Sequence, residues 1–127
     1  MTRINLVNPD QLTDKHLMAE YRELPRIFTY VKEYGIPEEI PETYVLGEGH
    51  MKFFCDKLWW LIRRYKEIHL ELIFRGFSLD VDLYRSVLRG TKNLPRYKER
   101  DYTPTPAEIY LNMKRLAERH FKTNEDQ

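Results

Sequence analysis

The chain has 127 residues, with 21 Lys+Arg against 20 Asp+Glu and a formal net charge of +1. This length suits one domain spanning residues 1–127, and 42% hydrophobic with 32% charged residues is a globular rather than a disordered composition. The longest apolar run, from Leu58 to Ile62, is far shorter than the about 20 residues of a membrane helix, and the N-terminus lacks an apolar signal core.

Cysteine usage points to a reducing compartment. Cys55 is the single cysteine, which excludes an internal disulfide and any zinc site built on several cysteines. The four histidines are too scattered along the chain to suggest another metal site. We therefore expect a cytoplasmic protein that contacts no membrane.

The first helical stretch runs from about residue 10 to about residue 34. Apolar residues recur there at helical spacing, and Asp10 or Thr13 can cap its start. Pro25 lies inside the stretch, where a proline removes one backbone hydrogen bond and clashes with the carbonyl four residues back. A helix with a kink at Pro25 is therefore predicted.

A second helix is predicted from Glu48 to Arg75. Its apolar side includes Met51 and Ile62, and Gly76 suits the left-handed residue that commonly follows a helix. The pattern around residues 79–88 is compatible with a further short helix, without a clear signal for one.

The last helix begins at Thr105. This residue and Glu108 form a capping box, with a proline at the first helical position. Ile109, Met113 and Leu116 then form the predicted inward stripe. No segment alternates with a period of two residues, so the prediction is an all-α domain of three main helices joined by loops that contain Pro and Gly.

Charge is distributed unevenly along the chain. Residues 36–48 carry four glutamates and no basic residue, whereas residues 57–66 carry four basic residues and no acid. Residues 85–100 carry six basic residues and one glutamate. Such runs are either solvated faces or contacts to a phosphate backbone, and the sequence leaves both interpretations open.

The polar face of the first helix combines chemically useful groups. At about 100° per residue, Arg22, Arg26, Glu23 and His16 share an arc of about 120° around the small Ala19. The simplest interpretation is a solvated face with Glu–Arg pairs three and four residues apart. The alternative is a binding site, because a carboxylate and a histidine stand beside two cations suited to phosphate.

A set of sequence blocks carries a resemblance to a known family. The blocks are residues 2–6 (TRINL), 16–26 (HLMAEYRELPR), 46–50 (LGEGH), 53–58 (FFCDKL), 75–77 (RGF) and 101–104 (DYTP). In these blocks the chain resembles the phage-type pyrimidine dimer DNA glycosylases, which were historically called endonuclease V. The resemblance covers roughly residues 2–117 and is most specific in its first two blocks, which are long and contiguous.

The resemblance implies a DNA glycosylase with AP lyase activity. In this family the initiator methionine is removed, and the α-amine of the following threonine attacks C1′ of the 5′ sugar of an ultraviolet-induced dimer. By the match, Thr2 is this nucleophile, and Glu23 is the carboxylate that stabilises the sugar cation and handles protons. The residues implied to bind DNA are Arg3, His16, Arg22 and Arg26.

The chemistry of these groups suits the implied roles. An α-amine has a pKa near about 8, so part of it is unprotonated at neutral pH without burial. Amines form imines with sugar carbons, and a carboxylate stabilises positive charge that develops at C1′. The implied reaction needs no metal or organic cofactor, and the implied partner is damaged double-stranded DNA bound by a monomer.

Two alternatives stay open. The same mechanism can serve another damaged base or an abasic site, because the chain ends in an acidic segment where the family has a basic, aromatic tail. A non-catalytic DNA-binding relative is the other alternative, because a retained Met1 would block the amine of Thr2.

Overall fold

A computed structural model describes the secondary structure of residues 3–125 and the side chains of residues 3–118. Within residues 3–125 the protein is helical and contains no β-strand, which confirms the all-α prediction. The described residues form six α-helices where three main helices were predicted, because two of the predicted helices are each divided and the weakly signalled stretch around residues 79–88 forms a helix of its own. The helices are α1 (Asp14–Glu23), α2 (Pro25–Tyr34), α3 (His50–Phe54), α4 (Leu58–Phe74), α5 (Val81–Gly90) and α6 (Pro106–Glu125), with 3-10 turns at Pro9–Gln11 and Thr91–Asn93.

The first predicted helix is two helices that meet at Leu24. Thr13 caps α1, since its Oγ1 accepts a hydrogen bond from the backbone N of His16 at 3.2 Å. Pro25 is the first residue of α2, a position where its missing N–H costs nothing. The predicted kink at Pro25 is therefore a helix boundary.

The second predicted helix is interrupted between Phe54 and Leu58, at a place without proline or glycine. The Lys57 ammonium turns back there, donating to the carbonyl of Phe53 at 2.7 Å and to Oδ1 of Asp56 at 2.9 Å. Arg100 binds the other carboxylate oxygen of Asp56 at 2.8 Å. A buried ion network, which local periodicity does not reveal, thus separates α3 from α4.

The end of α4 and the start of α6 follow the sequence signals. Gly76 has φ +95°, and the N–H groups of Gly76 and Phe77 bond back to the carbonyls of Ile73 and Leu72. At α6, the backbone N of Thr105 donates to Glu108 at 3.0 Å, and the N of Glu108 donates to the Thr105 hydroxyl at 3.2 Å.

The inward face of α6 agrees with the prediction only in part, since Ile109 and Leu116 pack against the core as predicted. Met113 is 54% exposed, whereas Glu108 and Asn112 are buried. Both buried side chains bind backbone groups of other segments: Glu108 accepts from the N of Tyr44 at 2.7 Å, and Asn112 accepts from the N of Leu6 at 2.7 Å. The polar requirements of these segments, rather than apolar burial alone, decide which face of α6 turns inward.

The core is formed mainly where α1 packs against α4. Tyr21 stacks on Tyr65 with ring centroids 5.0 Å apart and hydrogen-bonds Nδ1 of His69 at 2.8 Å, and Tyr84 of α5 stacks on the same histidine. Residues 3–7, which form neither helix nor strand, run into this core, and we call them the N-terminal segment. No helix in the described part of the chain has the length and apolar character of a membrane span.

Candidate active site

The N-terminal segment is buried without pairing to a strand, and side chains bind its backbone. Buried N–H and C=O groups need hydrogen-bond partners. The N of Ile4 donates to Nε2 of His50 at 2.9 Å, and its carbonyl accepts from the Tyr44 hydroxyl at 2.9 Å. The N of Leu6 donates to Oδ1 of Asn112. The segment is therefore held in place from α3, from the loop that precedes it and from α6.

A buried ion pair holds the segment from the side of α1 and α4. Arg64 donates to both carboxylate oxygens of Glu20, with Nε–Oε2 at 2.7 Å and Nη2–Oε1 at 3.1 Å. Glu20 also accepts from the side-chain amide of Asn5 at 2.8 Å, and Arg64 donates to the carbonyl of Val7. A buried pair is stable only when such additional hydrogen bonds satisfy its remaining groups. Glu20 therefore has a structural role.

His50 is a structural histidine in the neutral form. Its Nδ1 lies 2.7 Å from the carbonyl of Val45, which needs a donor, while Nε2 accepts from the N–H of Ile4. These two partners place the single proton on Nδ1. Burial lowers the pKa of His50, which agrees with a neutral ring.

A pocket of about 330 Å³ opens where the N-terminal segment meets α1 and α6. Ala19, His16 and Glu23 line it together, as their common arc on the first helix indicated. Its cationic lining residues are Arg3, Lys15 and Arg115. Because Glu20 is neutralised by Arg64, Glu23 is the one lining carboxylate without a described ion pair, and it shares the pocket with three cationic residues.

Glu23 binds the N-terminal segment at the end nearest the pocket. Its Oε2 accepts a hydrogen bond from the backbone N of Arg3 at 3.2 Å. This nitrogen belongs to the peptide bond that joins Arg3 to Thr2. The carboxylate is therefore held one residue from the implied nucleophile. Thr2 and Met1 themselves lie outside the described residues.

The other predicted DNA-binding residues are placed in two groups. Arg3 and His16 line the pocket together with Glu23. Arg22 and Arg26 are exposed, one on each side of the boundary between α1 and α2, and they are not among the residues that line the pocket. The structure thus brings three predicted residues to one cavity and leaves two arginines on the adjoining surface.

Sequence reasoning missed two cationic residues of the pocket. The place of Lys15 could have been predicted, because at about 100° per residue it falls on the same arc of the helix as Arg22 and Arg26. Arg115 lies one turn after Asn112 on α6, and its place follows only once Asn112 is known to face inward. Among the described residues, no three His, Cys, Asp or Glu side chains come together as metal ligands.

One comparison with known proteins bears on this site. A family model described as pyrimidine dimer DNA glycosylase matches residues 1–85, which is two thirds of the chain. The matched range includes the N-terminal segment, α1 with Glu23, and both helices that hold His50 and Arg64. It ends inside α5, at the first residue of the basic stretch of residues 85–100, and before α6.

Proposed function

The chain belongs to the pyrimidine dimer DNA glycosylase family, and from this premise we propose that it excises ultraviolet-induced cyclobutane dimers through an imine on Thr2. The proposal includes an AP lyase step that cuts the strand after the base has left. One observation supports it above the others: the Glu23 carboxylate is bound to the backbone N of Arg3, next to the residue that would carry the nucleophile.

The reaction begins at the α-amine of Thr2, once Met1 has been removed. The amine nitrogen forms a bond to C1′ of the 5′ sugar of the dimer, and the bond from C1′ to the base breaks with its electron pair leaving on the base. Loss of a proton from the nitrogen and opening of the sugar ring give the imine. A proton then leaves C2′, and the C3′–O bond breaks to release the 3′ phosphate side of the strand.

Glu23 has the position and the chemistry for two steps. A carboxylate beside C1′ stabilises the positive charge that develops as the base departs. The same group can then accept the C2′ proton during elimination. The hydrogen bond from the N of Arg3 keeps the carboxylate directed toward the end of the N-terminal segment.

The cationic residues at and beside the pocket suit the binding of DNA, which is a polyanion. Arg3, Lys15 and Arg115 surround the pocket, so phosphates that flank an extruded sugar would meet positive charge on several sides. Arg22 and Arg26 are exposed beside the pocket, where guanidinium groups can bind phosphates further along the strand. Extruding a nucleotide costs a few kcal/mol and is cheapest at damaged sites.

Borohydride trapping tests the proposal. Wild-type protein, its N-acetylated form and Glu23→Gln are incubated with a dimer-containing duplex and with an abasic duplex. Of these three forms of the protein, we expect only the wild type to give a covalent adduct on dimer DNA. Glu33→Gln is the matched control, because Glu33 is an exposed glutamate of α2, and it should give the wild-type adduct.

Three results would contradict parts of this proposal. An adduct that survives acetylation would exclude the α-amine as the nucleophile. Full excision of dimers by Glu23→Gln would exclude the role of Glu23. An adduct on abasic DNA alone would keep the imine and change the substrate. Intact mass establishes beforehand whether Met1 is absent from the protein used.

A further inference from the structure

A groove separate from the active site joins the two basic stretches of the chain. It has a volume of about 630 Å³ and lies between α4, the end of α5 and the segment that follows. Lys66 comes from the first stretch, and Lys92 and Arg96 come from the second. Trp59 and Ile62 contribute from α4.

Four of the ten cations of the two stretches bind carboxylates away from the groove. Lys57 and Arg64 are buried in ion pairs with Asp56 and Glu20. Lys98 and Arg100 bind carboxylates as well, those of Glu38 and Asp56. Lys66 and Lys92 of the groove are exposed and have no described carboxylate partner, so they offer positive charge that these pairs do not neutralise.

The floor of the groove is apolar and carries an accessible aromatic ring. Leu88 and Leu94 line it together with Ile62, and the side chain of Trp59 is exposed over 53% of its surface. Its neighbour Trp60 is instead half-buried and stacks on Phe54, with ring centroids 5.4 Å apart. One indole of the pair thus serves packing, and the other faces the groove.

The ring and its cation are held in position. The guanidinium of Arg96 lies 5.2 Å from the centroid of the Trp59 ring and donates to the carbonyl of Thr91 at 2.9 Å. Glu99 accepts from the backbone N of Trp59 and lies 3.9 Å from Arg96. Groups that are ordered before binding lose less entropy when a ligand arrives.

The groove does not face the active site. At about 100° per residue along α4, Trp59 and Lys66 lie about 140–160° away from Arg64, whose side chain binds Glu20 beside the pocket. The family match covers only part of the groove, because it ends at residue 85 and Leu88, Lys92 and Arg96 come after it. The groove is therefore a separate feature of this chain.

We propose that this groove binds an unpaired stretch of a DNA strand, with a base on Trp59 and phosphates at Lys66, Lys92 and Arg96. Single-stranded nucleic acids are bound by a cationic groove that tracks the backbone and by aromatic rings on which bases stack. A duplex would present its phosphates to the lysines but would keep its bases away from the indole. The inference rests on the proposed function only for the choice of DNA as the polymer.

Tryptophan fluorescence tests the stacking directly. Trp60→Phe keeps an aromatic ring against Phe54 and leaves Trp59 as the only indole. Titration with an unmodified oligothymidylate should quench the emission, because bases stack on the ring. Heparin, an anionic polymer without bases, should compete for the cations without quenching. No quenching by the oligonucleotide, or equal quenching by heparin, would overturn the proposal.

Affinity measurements provide the second test and do not depend on the Trp60→Phe variant. Trp59→Ala and Lys92→Ala should each weaken oligothymidylate binding in fluorescence anisotropy, by about 10-fold for the loss of a base stack. The controls are Tyr110→Ala and Lys52→Ala, an exposed aromatic residue and an exposed lysine outside the groove. Equal affinities of all four variants would contradict the site.

The two proposals can fail independently. Binding of undamaged single strands requires neither a dimer nor the amine of Thr2, so the groove can be demonstrated in a protein that traps no imine. Trapping on dimer duplex requires neither Trp59 nor Lys92. A melting temperature equal to that of the wild type shows that each variant is folded.

Discussion

Glu20 and Glu23 lie one turn apart on α1, and their side chains have different roles because they contact different groups. Glu20 is 1% exposed and binds Arg64 through both oxygens. Glu23 lies at the pocket with a backbone N–H as its described partner. The structural role of Glu20 does not follow from the sequence, because the arginine that it binds is 44 residues away.

The two buried histidines predict a loss of stability in mild acid. Burial lowers the pKa of His50 and His69 below the ordinary value of about 6.5. Below pH about 6.5 the unfolded chain therefore binds more protons than the folded one, and the free energy of unfolding decreases as the pH falls. Above that pH their contribution is fully present. Urea midpoints measured between about pH 8 and pH 5 should show this decrease.

His50→Gln is the control for this pH dependence. The glutamine amide can accept from the N of Ile4 and does not titrate, so the variant should keep only the part of the slope that comes from His69. Carboxylate titration occurs at lower pH, since the pKa values of Asp and Glu are near about 4. An unchanged slope in His50→Gln would show that its ring is not the group that titrates.

At the scale of elements, the sequence predicts boundaries where the cause is local. Gly76 and the Thr105–Glu108 capping box act within a few residues, and both are found where expected. Pro25 acts locally too, although it produces a boundary instead of a kink. The break before Leu58 lies at an ion network that includes Arg100, whose contact with Asp56 spans 44 residues. Local hydrophobic periodicity therefore does not predict this break.

The same distinction applies to the site. Helical spacing on α1 was sufficient to group His16, Ala19 and Glu23, and the structure places all three at one pocket. It was not sufficient for Arg115, because the orientation of α6 is decided by Asn112 and the backbone it binds 106 residues away. The roles assigned to these residues stay predictions that the trapping experiment addresses.

Asn112→Ala should weaken the attachment of the N-terminal segment to α6. The substitution removes the acceptor for the N–H groups of Leu6 and Val7, and each buried group left without a partner costs about 1–3 kcal/mol. We expect a lower free energy of unfolding by at least about 2 kcal/mol. Hydrogen exchange at the same two amides should become faster.

Asn93→Ala is the matched control, because Asn93 is an exposed asparagine. It should change neither the urea midpoint nor the exchange of Leu6 and Val7. If Asn112→Ala exchanged these amides as slowly as the wild type, another group would be holding the segment.

Across the whole molecule, a net charge of +1 conceals a strong separation of charge. Interior pairs use some of the cations, as with Arg64 and Lys57. Others collect at the pocket and, on another side of α4, at the groove. Total charge therefore says little about affinity for DNA, whereas the placement of the charges predicts a strong dependence on salt.

Removal of Arg22 and Arg26 together should reduce this salt dependence. Each phosphate contact that is lost lowers the slope of log K against log salt by about 0.9 on duplex DNA. Lys32→Ala is the control, since Lys32 is an exposed cation of α2 that does not line the pocket. Binding of a dimer duplex at several salt concentrations measures the slope. An unchanged slope in the double variant would place both arginines away from the phosphates.

The hydrogen bond between Leu6 and Asn112 also has a consequence for synthesis on the ribosome. The two residues are 106 positions apart, so at roughly 5–20 residues per second the acceptor is made about 5–20 s after the donor. During this interval the nascent amino terminus cannot settle into its final bonds. A processing enzyme that trims the first residue thus has seconds of access before residues 3–7 reach their folded positions.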